Sequence, residues 1–253
     1  MYTKVYFSFL FLLFTTLSQG QNTRLFNHNT IGWYNYFGTI KINSKFGLHT
    51  EYQFRRNNLI TDWQQSLLRV GLNYQLHSRV QLRLGYAWIE TFPYGDIPLN
   101  SMGKDFTEHR LFQMVTITDK INRLDLSHRF MLEQRWVGRY SEASLSSEDE
   151  FPFMNRLRYM FRIQLPLKGK EILNRTPYLV FYDEIFAGFG QNVNENIFDQ
   201  NRVALLFGYR LNQSVRIEGG YLNQLLQLGR EVNNQNVFQN NNGIIVSAVV
   251  QFL

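Results

Sequence analysis

A short polar stretch, FDQNR at residues 198–202, combines a carboxylate, two amides and an arginine. An acidic pair, Asp183 and Glu184, lies upstream of it. Groups of these types could form an active site, because carboxylates transfer protons and an arginine binds anionic groups. They could equally form a structural polar wall, because arginines and carboxylates also pair with each other. The elements that carry them decide between the two.

Histidine is the residue that a hydrolytic triad would need beside its nucleophile. The chain has His28, His49, His77, His109 and His128. His128 adjoins Ser127, but adjacent residues of a strand point to opposite faces and cannot pair. Only His109, beside Glu108, is placed at the predicted outer rim. The chain also has no G-x-S-x-G motif, no nucleotide-binding glycine pattern and no Cys/His metal spacing. We therefore expect a non-enzymatic protein without a cofactor, with a lipid-modifying hydrolase acting at the rim as the alternative.

The elements that carry these residues are predicted to be β-strands. In RVQLRLGYAW, residues 79–88, the apolar residues Val80 and Leu82 alternate with Gln81 and Arg83. The same period of two recurs along the chain, and no helical period competes with it. Segments of about ten residues that alternate in this way are typical of strands that cross a membrane in a β-barrel.

The connections between the strands alternate in length. The strands are predicted at residues 31–42, 45–56, 62–76, 79–92, 106–118, 122–140, 150–165, 176–186, 199–211, 214–228 and 241–253. Short turns fall near residues 43–44, 77–78, 119–121 and 212–213, and longer loops near 93–106, 141–150, 187–198 and 229–241. This asymmetry is typical of an antiparallel up-and-down transmembrane barrel with short periplasmic turns and longer extracellular loops. Because such barrels usually have an even number of strands, we expect twelve, the twelfth within residues 22–30, with ten as the alternative.

A secreted β-sandwich or a lipocalin-like barrel is the soluble alternative. Many of the predicted strands are too long for a sandwich, in which five or six residues is usual. Tyrosine and tryptophan also gather at strand ends, as at Trp33, Tyr34, Trp136 and Tyr140, which is typical of aromatic girdles. These features favour the all-β membrane barrel.

The first twenty residues are predicted to be a cleaved signal peptide. Lys4 precedes an apolar run at residues 5–17, and small residues follow at Ser18 and Gly20. The run is shorter than the roughly 20 residues that a membrane-spanning helix needs. Residues 21–253 would then form a single barrel domain, and without cysteine it is not held by disulfides. We expect it in the outer membrane of a Gram-negative cell.

The net charge of +6 does not predict nucleic-acid binding, because the basic residues are divided between two places. Lysines gather beside the short turns, whereas arginines fall on the polar face of the strands. An arginine that faced lipid at mid-depth would cost about 2–4 kcal/mol, so these arginines are expected to face the lumen. The predicted luminal polar network contains Glu51, Arg69, Arg83, Arg129, Glu133, Arg156, Arg158, Arg162, Arg202, Arg210, Arg216 and Glu218. It predicts either a lumen filled by salt bridges or a narrow porin-like channel that attracts anions.

The polar stretch at residues 198–202 enters one of these strands. A rim cluster is predicted near the extracellular end, made of Asp183, Glu184, Gln200 and Arg202. One of the two acids is expected to pair with Arg202 and to anchor the loop before it. The cluster is therefore interpreted as structural, and no catalytic, cofactor-binding or metal-binding residue is predicted.

Several motifs together resemble a known family. They are FDQNR (198–202), DE (183–184), QQSLLRVGLNY (64–74), LRLGYAW (82–88) and HRFMLEQRW (128–136). Over essentially the whole mature chain, the sequence resembles an outer-membrane β-barrel family of Gram-negative bacteria, the domain-of-unknown-function 2490 family. The resemblance implies a barrel in the outer membrane and supplies no reaction, cofactor or catalytic residue.

The expected partners follow from a location in the outer membrane. The barrel would contact outer-membrane lipid and lipopolysaccharide. Its last strand, with Phe252 one residue from the end, would be recognised by the barrel-assembly machinery. A scaffold that binds an unidentified protein through the long loops is a further alternative role.

Overall fold

The computed structural model describes residues 24–252 apart from residue 195, so the predicted signal peptide lies outside the described residues. The described part of the chain forms eleven strands. They are β1 (Arg24–Lys41), β2 (Phe46–Asn57), β3 (Asp62–His77), β4 (Val80–Thr91), β5 (Phe106–Ile121), β6 (Leu124–Val137), β7 (Phe153–Pro166), β8 (Thr176–Phe189), β9 (Phe198–Arg210), β10 (Val215–Val232) and β11 (Gln235–Phe252). The same residues contain no helix that is long and apolar enough to cross a membrane.

The strands close into a barrel in chain order. Each strand pairs with the next in antiparallel fashion, and β1 closes the ring by pairing with β11 in parallel, from Arg24 opposite Asn236 to Ile40 opposite Phe252. The expectation of twelve strands, or ten, is therefore corrected to eleven within the described residues. Residues 24–30 form no separate strand, because they extend β1 and pair with β11. An odd number of up-and-down strands leaves the first and last running in the same direction, so their pairing must be parallel.

The two ends of the barrel differ in their connections. Residues 42–45, 78–79, 122–123, 167–175 and 211–214 connect strands at one end, the short-turn end. Residues 58–61, 92–105, 138–152, 190–197 and 233–234 connect them at the other, the long-loop end. Residues 229–241 were expected to be a loop, and this was wrong. Here β10 and β11 continue to a two-residue turn at Asn233 and Asn234, whose φ angles of 53° and 58° are those of a type I′ hairpin turn.

The outer face of the barrel is apolar and the inner face is polar. In β3, Leu68, Val70 and Leu72 are 46%, 42% and 46% exposed, while Arg69 and Asn73 on the opposite face are buried. The other strands repeat this division, which is the reverse of a soluble barrel with an apolar interior. The soluble alternative is therefore excluded by the direction in which the side chains point.

The interior itself has two halves. Buried apolar side chains form one cluster mainly on β8 to β11 and β1, among them Trp33, Tyr178, Val180, Leu206 and Leu222. Most of the charged luminal side chains lie instead on β2 to β7. The charged half is the part of the barrel where the predicted polar network can form.

Candidate functional site

Glu133 on β6 is the centre of the charged interior. Its side chain is fully buried, and it accepts hydrogen bonds from two arginines of the neighbouring strand β7. The Glu133 carboxylate lies 2.6 Å from Arg156 and 2.9 Å from Arg158. Arg110 and Arg69 approach the same carboxylate to 3.7 Å and 3.9 Å. One carboxylate thus holds four guanidinium groups together.

Two more carboxylates extend this cluster around the wall. Glu51 on β2 pairs with Arg69 at 2.6 Å. Glu184 on β8 pairs with Arg158 and with Arg129, at 2.7 Å in both cases. We call the resulting set the charged belt, which consists of Glu51, Arg69, Arg110, Glu133, Arg156, Arg158 and Glu184.

Large side chains fill the lumen beside the charged belt. Phe112 is fully buried and Met131 is 2% exposed, and both point inward. Gly85 on the neighbouring strand β4 makes room for the Phe112 ring, because a Cβ at this position would lie 2.6 Å from it. The barrel is therefore packed with side chains at this level, as expected when a barrel is narrow.

Above the charged belt, towards the long-loop end, lies a cavity of about 400 Å³, which we call the vestibule. Among the described residues that line it, two are acids, Glu108 and Asp199. Seven are arginines, namely Arg55, Arg110, Arg135, Arg139, Arg156, Arg202 and Arg230. The described wall thus carries an excess of five positive charges, seven minus two, so it attracts anions.

Both acids of the vestibule are already paired with arginines. Glu108 is held by Arg110 and Arg135, each at 2.5 Å. Asp199 accepts a hydrogen bond from Arg156. These pairs leave other arginines of the wall without a carboxylate partner among the described residues.

The loop at residues 92–105 reaches across the mouth of the vestibule to the opposite wall. The Tyr94 hydroxyl donates to Gln239 on β11 at 2.7 Å, and the Gln239 amide donates to the carbonyl of Ile97 at 2.7 Å. Arg230 on β10 donates to the carbonyl of Pro98 at 2.9 Å. Burial raises the pKa of Tyr94 above its ordinary value of 10.0, so its hydroxyl keeps its proton. This loop therefore narrows the entrance.

Two buried arginines stack on one tryptophan at the floor of the vestibule. The guanidinium of Arg55 lies 3.9 Å from the ring centre of Trp33, and that of Arg202 lies 4.8 Å from it. The indole nitrogen of Trp33 donates to Gln64 at 2.7 Å, which fixes the ring. Cation–π contacts of this kind stabilise an arginine without neutralising its charge.

Five residues of the predicted network lie towards the short-turn end. Arg162 pairs with Glu218 at 2.5 Å, and Arg83 donates to Asn73 at 2.5 Å. Arg210 donates to backbone carbonyls of the adjoining turns, and Arg216 lies two residues before Glu218 on the same face. The structure thus divides the predicted network into the charged belt, with Arg129 bonded to its Glu184, a separate group beneath it, and Arg202 in the wall of the vestibule.

The predicted rim cluster is split between the two faces of the barrel. Glu184 points inward and lies 3.8 Å from Arg202, whose Nε donates to Gln200 at 3.0 Å. Asp183 points outward and accepts a hydrogen bond from Asn201 at 2.6 Å. Neighbouring residues of a strand face opposite ways, so the two acids could not both reach Arg202. Glu184 is also a member of the charged belt through its pair with Arg158, and so it lies within the barrel and not at its rim.

Several functional residues escaped the sequence prediction, among them Trp33, Arg55, Glu108, Arg110 and Arg135. The alternation in β5 carried the signal for two of them, since Glu108 and Arg110 share a face with the inward Phe112. The rim candidate His109 lies on the outer face, where its Nδ1 is 2.6 Å from the Tyr86 hydroxyl. It therefore points away from Glu108. The described residues also contain no cluster of side chains that could hold a metal ion.

A closed barrel with an apolar outer band and a charged interior belongs to the class of transmembrane β-barrels. Within that class, the chain belongs to the DUF2490 family, described as a protein of unknown function, which it matches over residues 30–236. No curated protein matches the chain. Among solved structures it is similar to the NanC porin in a rhombohedral crystal form, with 11% identity, a TM-score of 0.47, and coverage of 88% of this chain and 98% of that one. A likeness at this level carries no argument about function.

Proposed function

We propose that the chain is a non-enzymatic outer-membrane barrel whose lumen is closed at mid-height by the charged belt. Its apolar outer band suits lipid, and the predicted signal peptide would export it. Above the belt, the vestibule forms a basic chamber that opens towards the long loops. The role is then structural, with binding confined to one end of the barrel.

The observation that carries this proposal is the burial of Glu133 between four arginines. A carboxylate with no exposed surface leaves no water-filled path beside it. Its arginine partners belong to β3, β5 and β7, so their side chains span part of the lumen. Phe112 and Met131 fill the space next to them.

Planar bilayer recording tests whether the lumen is closed. The wild-type barrel should give no conductance steps over the usual range of voltages. A double variant, Glu133→Ala with Arg158→Ala, removes the central pair and should give small steps. The matched control is Lys120→Ala with Glu171→Ala, which removes an exposed pair at the short-turn end and should leave the barrel closed. Steps in the wild type equal to those of the Glu133 variant would contradict the proposal.

The excess of arginine in the vestibule favours a second candidate, a narrow porin-like channel for anions. In that case the wild type conducts, and a salt gradient shifts the reversal potential in the direction of anion selectivity. Bilayer recording therefore separates the two candidates with the same preparation.

The location and the partners form part of the same proposal. We infer contact with outer-membrane lipid and lipopolysaccharide along the outer band, and recognition of β11 by the barrel-assembly machinery. Membrane fractionation with and without residues 1–20 tests the export step. Recovery of the truncated chain in the outer membrane would contradict it.

A further inference from the structure

Arg55 is a buried charge without a counter-charge. Its side chain is 94% removed from solvent, with 6% exposure, and no described carboxylate lies within 4.0 Å of its guanidinium. Its partners are neutral, because Nε donates to Gln53 at 2.9 Å and Nη1 donates to Gln65 at 2.6 Å. Burying an unpaired charge is costly, so a protein that keeps one gains something from it.

Arg202 has a similar environment beside the same Trp33 ring. It is 8% exposed, and its nearest carboxylate, Glu184, lies at 3.8 Å and is held more closely by two other arginines. Among the described residues its hydrogen bond is the one from Nε to Gln200. Its Nη groups make no hydrogen bond to the described residues and can donate to a ligand in the vestibule.

We propose that Arg55 and Arg202 form a binding site for a small oxyanion, a carboxylate or a phosphate, at the floor of the vestibule. Both guanidiniums line the same cavity and lie over the same indole ring, and hydrogen bonds to glutamine side chains hold each of them in place. A fixed guanidinium presents parallel donors that match the paired oxygens of such a group. An anion between them also offsets the repulsion of two like charges.

The surroundings favour a hydrophilic molecule of modest size. The amides of Gln64, Gln65 and Gln224 line the same cavity, and these can bond to the uncharged part of a ligand. The cavity of about 400 Å³ accommodates a small organic anion but not a folded partner. The site lies above the charged belt, so its affinity does not depend on whether the belt closes the lumen.

Calorimetric titration of the detergent-solubilised full barrel tests the site, with inorganic phosphate and acetate as probes and chloride at equal ionic strength as the reference. We expect saturable binding of at least one probe, with one site per chain. Arg55→Gln and Arg202→Gln should each weaken it about tenfold, which is the effect of losing one charge-assisted hydrogen bond. Arg55→Lys should also weaken it, because lysine keeps the charge but loses the planar fork.

The matched control is Arg216→Gln, which removes one luminal charge on the other side of the belt. Its affinity should stay within about twofold of the wild type, the spread expected for a distant substitution. A heat-modifiability gel shows whether each variant is folded before it is titrated. Heats no larger than those of chloride, or wild-type affinity in both folded Arg55 variants, would overturn the proposal. Equal weakening in Arg216→Gln would also overturn it, because the effect would then be one of net charge.

Discussion

At the scale of single residues, Glu133 shows how much depends on one buried carboxylate. Glu133→Gln removes its charge and leaves four guanidiniums facing each other inside the barrel. Breaking a buried ion pair by removing one partner costs about 3–5 kcal/mol. We therefore expect a loss of this size in the free energy of unfolding, measured by urea titration of the micelle-bound barrel with tryptophan fluorescence.

Glu171→Gln is the matched control for that change. Glu171 lies in the turn at residues 167–175 and pairs with Lys120 at 2.7 Å, but both side chains are exposed. Exposed pairs of this kind contribute little to stability, because water and salt screen both charges. The two substitutions change the same atoms. A difference between their losses in the free energy of unfolding is therefore due to the burial of Glu133. Equal losses would show that the charged belt is not the stabilising cluster that its geometry indicates.

At the scale of strands and loops, most of the barrel could be predicted from the sequence and one part could not. The alternation of apolar and polar residues predicted β2 to β9, because one face of each of these strands contacts lipid and the other faces the lumen. It failed for the upper ends of β10 and β11, GREVNNQ and NVFQNN, which extend beyond the end of β9 and carry polar residues on both faces. The Asn233–Asn234 pair was the available signal, since asparagine tolerates the left-handed turn.

The candidate site was predictable to a similar degree. Because successive residues of a strand face opposite sides, the position of an arginine such as Arg156 or Arg158 along its strand assigns it to the lumen. It does not show which carboxylate that arginine meets, because the partners are far apart in sequence, and Glu184 lies 26 residues beyond Arg158. The unpaired state of Arg55 depends on the closure of the ring, which brings β1 and β9 together around Trp33 and Arg202. The strand pairing that closes the ring cannot be read from a single sequence.

The loop at residues 92–105 offers a test of packing through its glycines. Gly95 and Gly103 both have positive φ angles, 67° and 66°. A Cβ at Gly95 would lie 2.3 Å from Oδ1 of Asn29, which hydrogen bonds to its neighbours hold in place, whereas a Cβ at Gly103 meets nothing within 4 Å. Alanine at either site carries the same backbone strain. Any difference between the Gly95→Ala and Gly103→Ala variants is therefore caused by the clash with Asn29.

We expect Gly95→Ala to weaken the packing of the loop at residues 92–105 and Gly103→Ala to leave that packing unchanged. The chain has no cysteine, so Thr91→Cys, in the vestibule wall directly before the loop and 2% exposed in the wild type, provides a single protected labelling site. Overpacking costs about 1–3 kcal/mol, which corresponds to roughly tenfold faster maleimide labelling in the Gly95→Ala background. Identical rates in the two backgrounds would mean that the loop does not pack against Asn29.

The loop at residues 138–152 should respond to acid. The hydroxyl and the backbone N–H of Ser141 donate to Asp149 at 2.5 Å and 2.8 Å, and these bonds hold the pKa of Asp149 below its usual 3.8. Because the pKa of Asp149 is lowered, the stability that these bonds give the loop is present above pH 3.8. It is lost as the pH falls through the pKa of Asp149 in the folded state. We expect pepsin to cut this loop only towards the acid end of a series from about pH 5 to about pH 2. Ser141→Ala should move the onset of cutting to higher pH, and an unchanged onset would contradict the role of these bonds.

At the scale of the whole molecule, the parallel closure of β1 on β11 determines where the two ends lie. An even barrel brings both ends to the same side, whereas eleven strands place Arg24 at the long-loop end and Phe252 at the short-turn end. If the long loops are extracellular, as is typical of outer-membrane barrels, an epitope inserted directly before Arg24 should bind antibody on intact cells. An epitope after the last residue should bind only after the outer membrane is opened.

Two insertions within the barrel calibrate that experiment. An epitope at the Asn233–Asn234 turn marks the outside, and one after Gly169, where the chain faces open space, marks the periplasm. The epitope before Arg24 should be labelled under the same conditions as the one at the Asn233–Asn234 turn. The epitope after the last residue should be labelled under the same conditions as the one after Gly169. Labelling of both ends from the same side would contradict the parallel pair, because only an even number of crossings returns a chain to the side where it began.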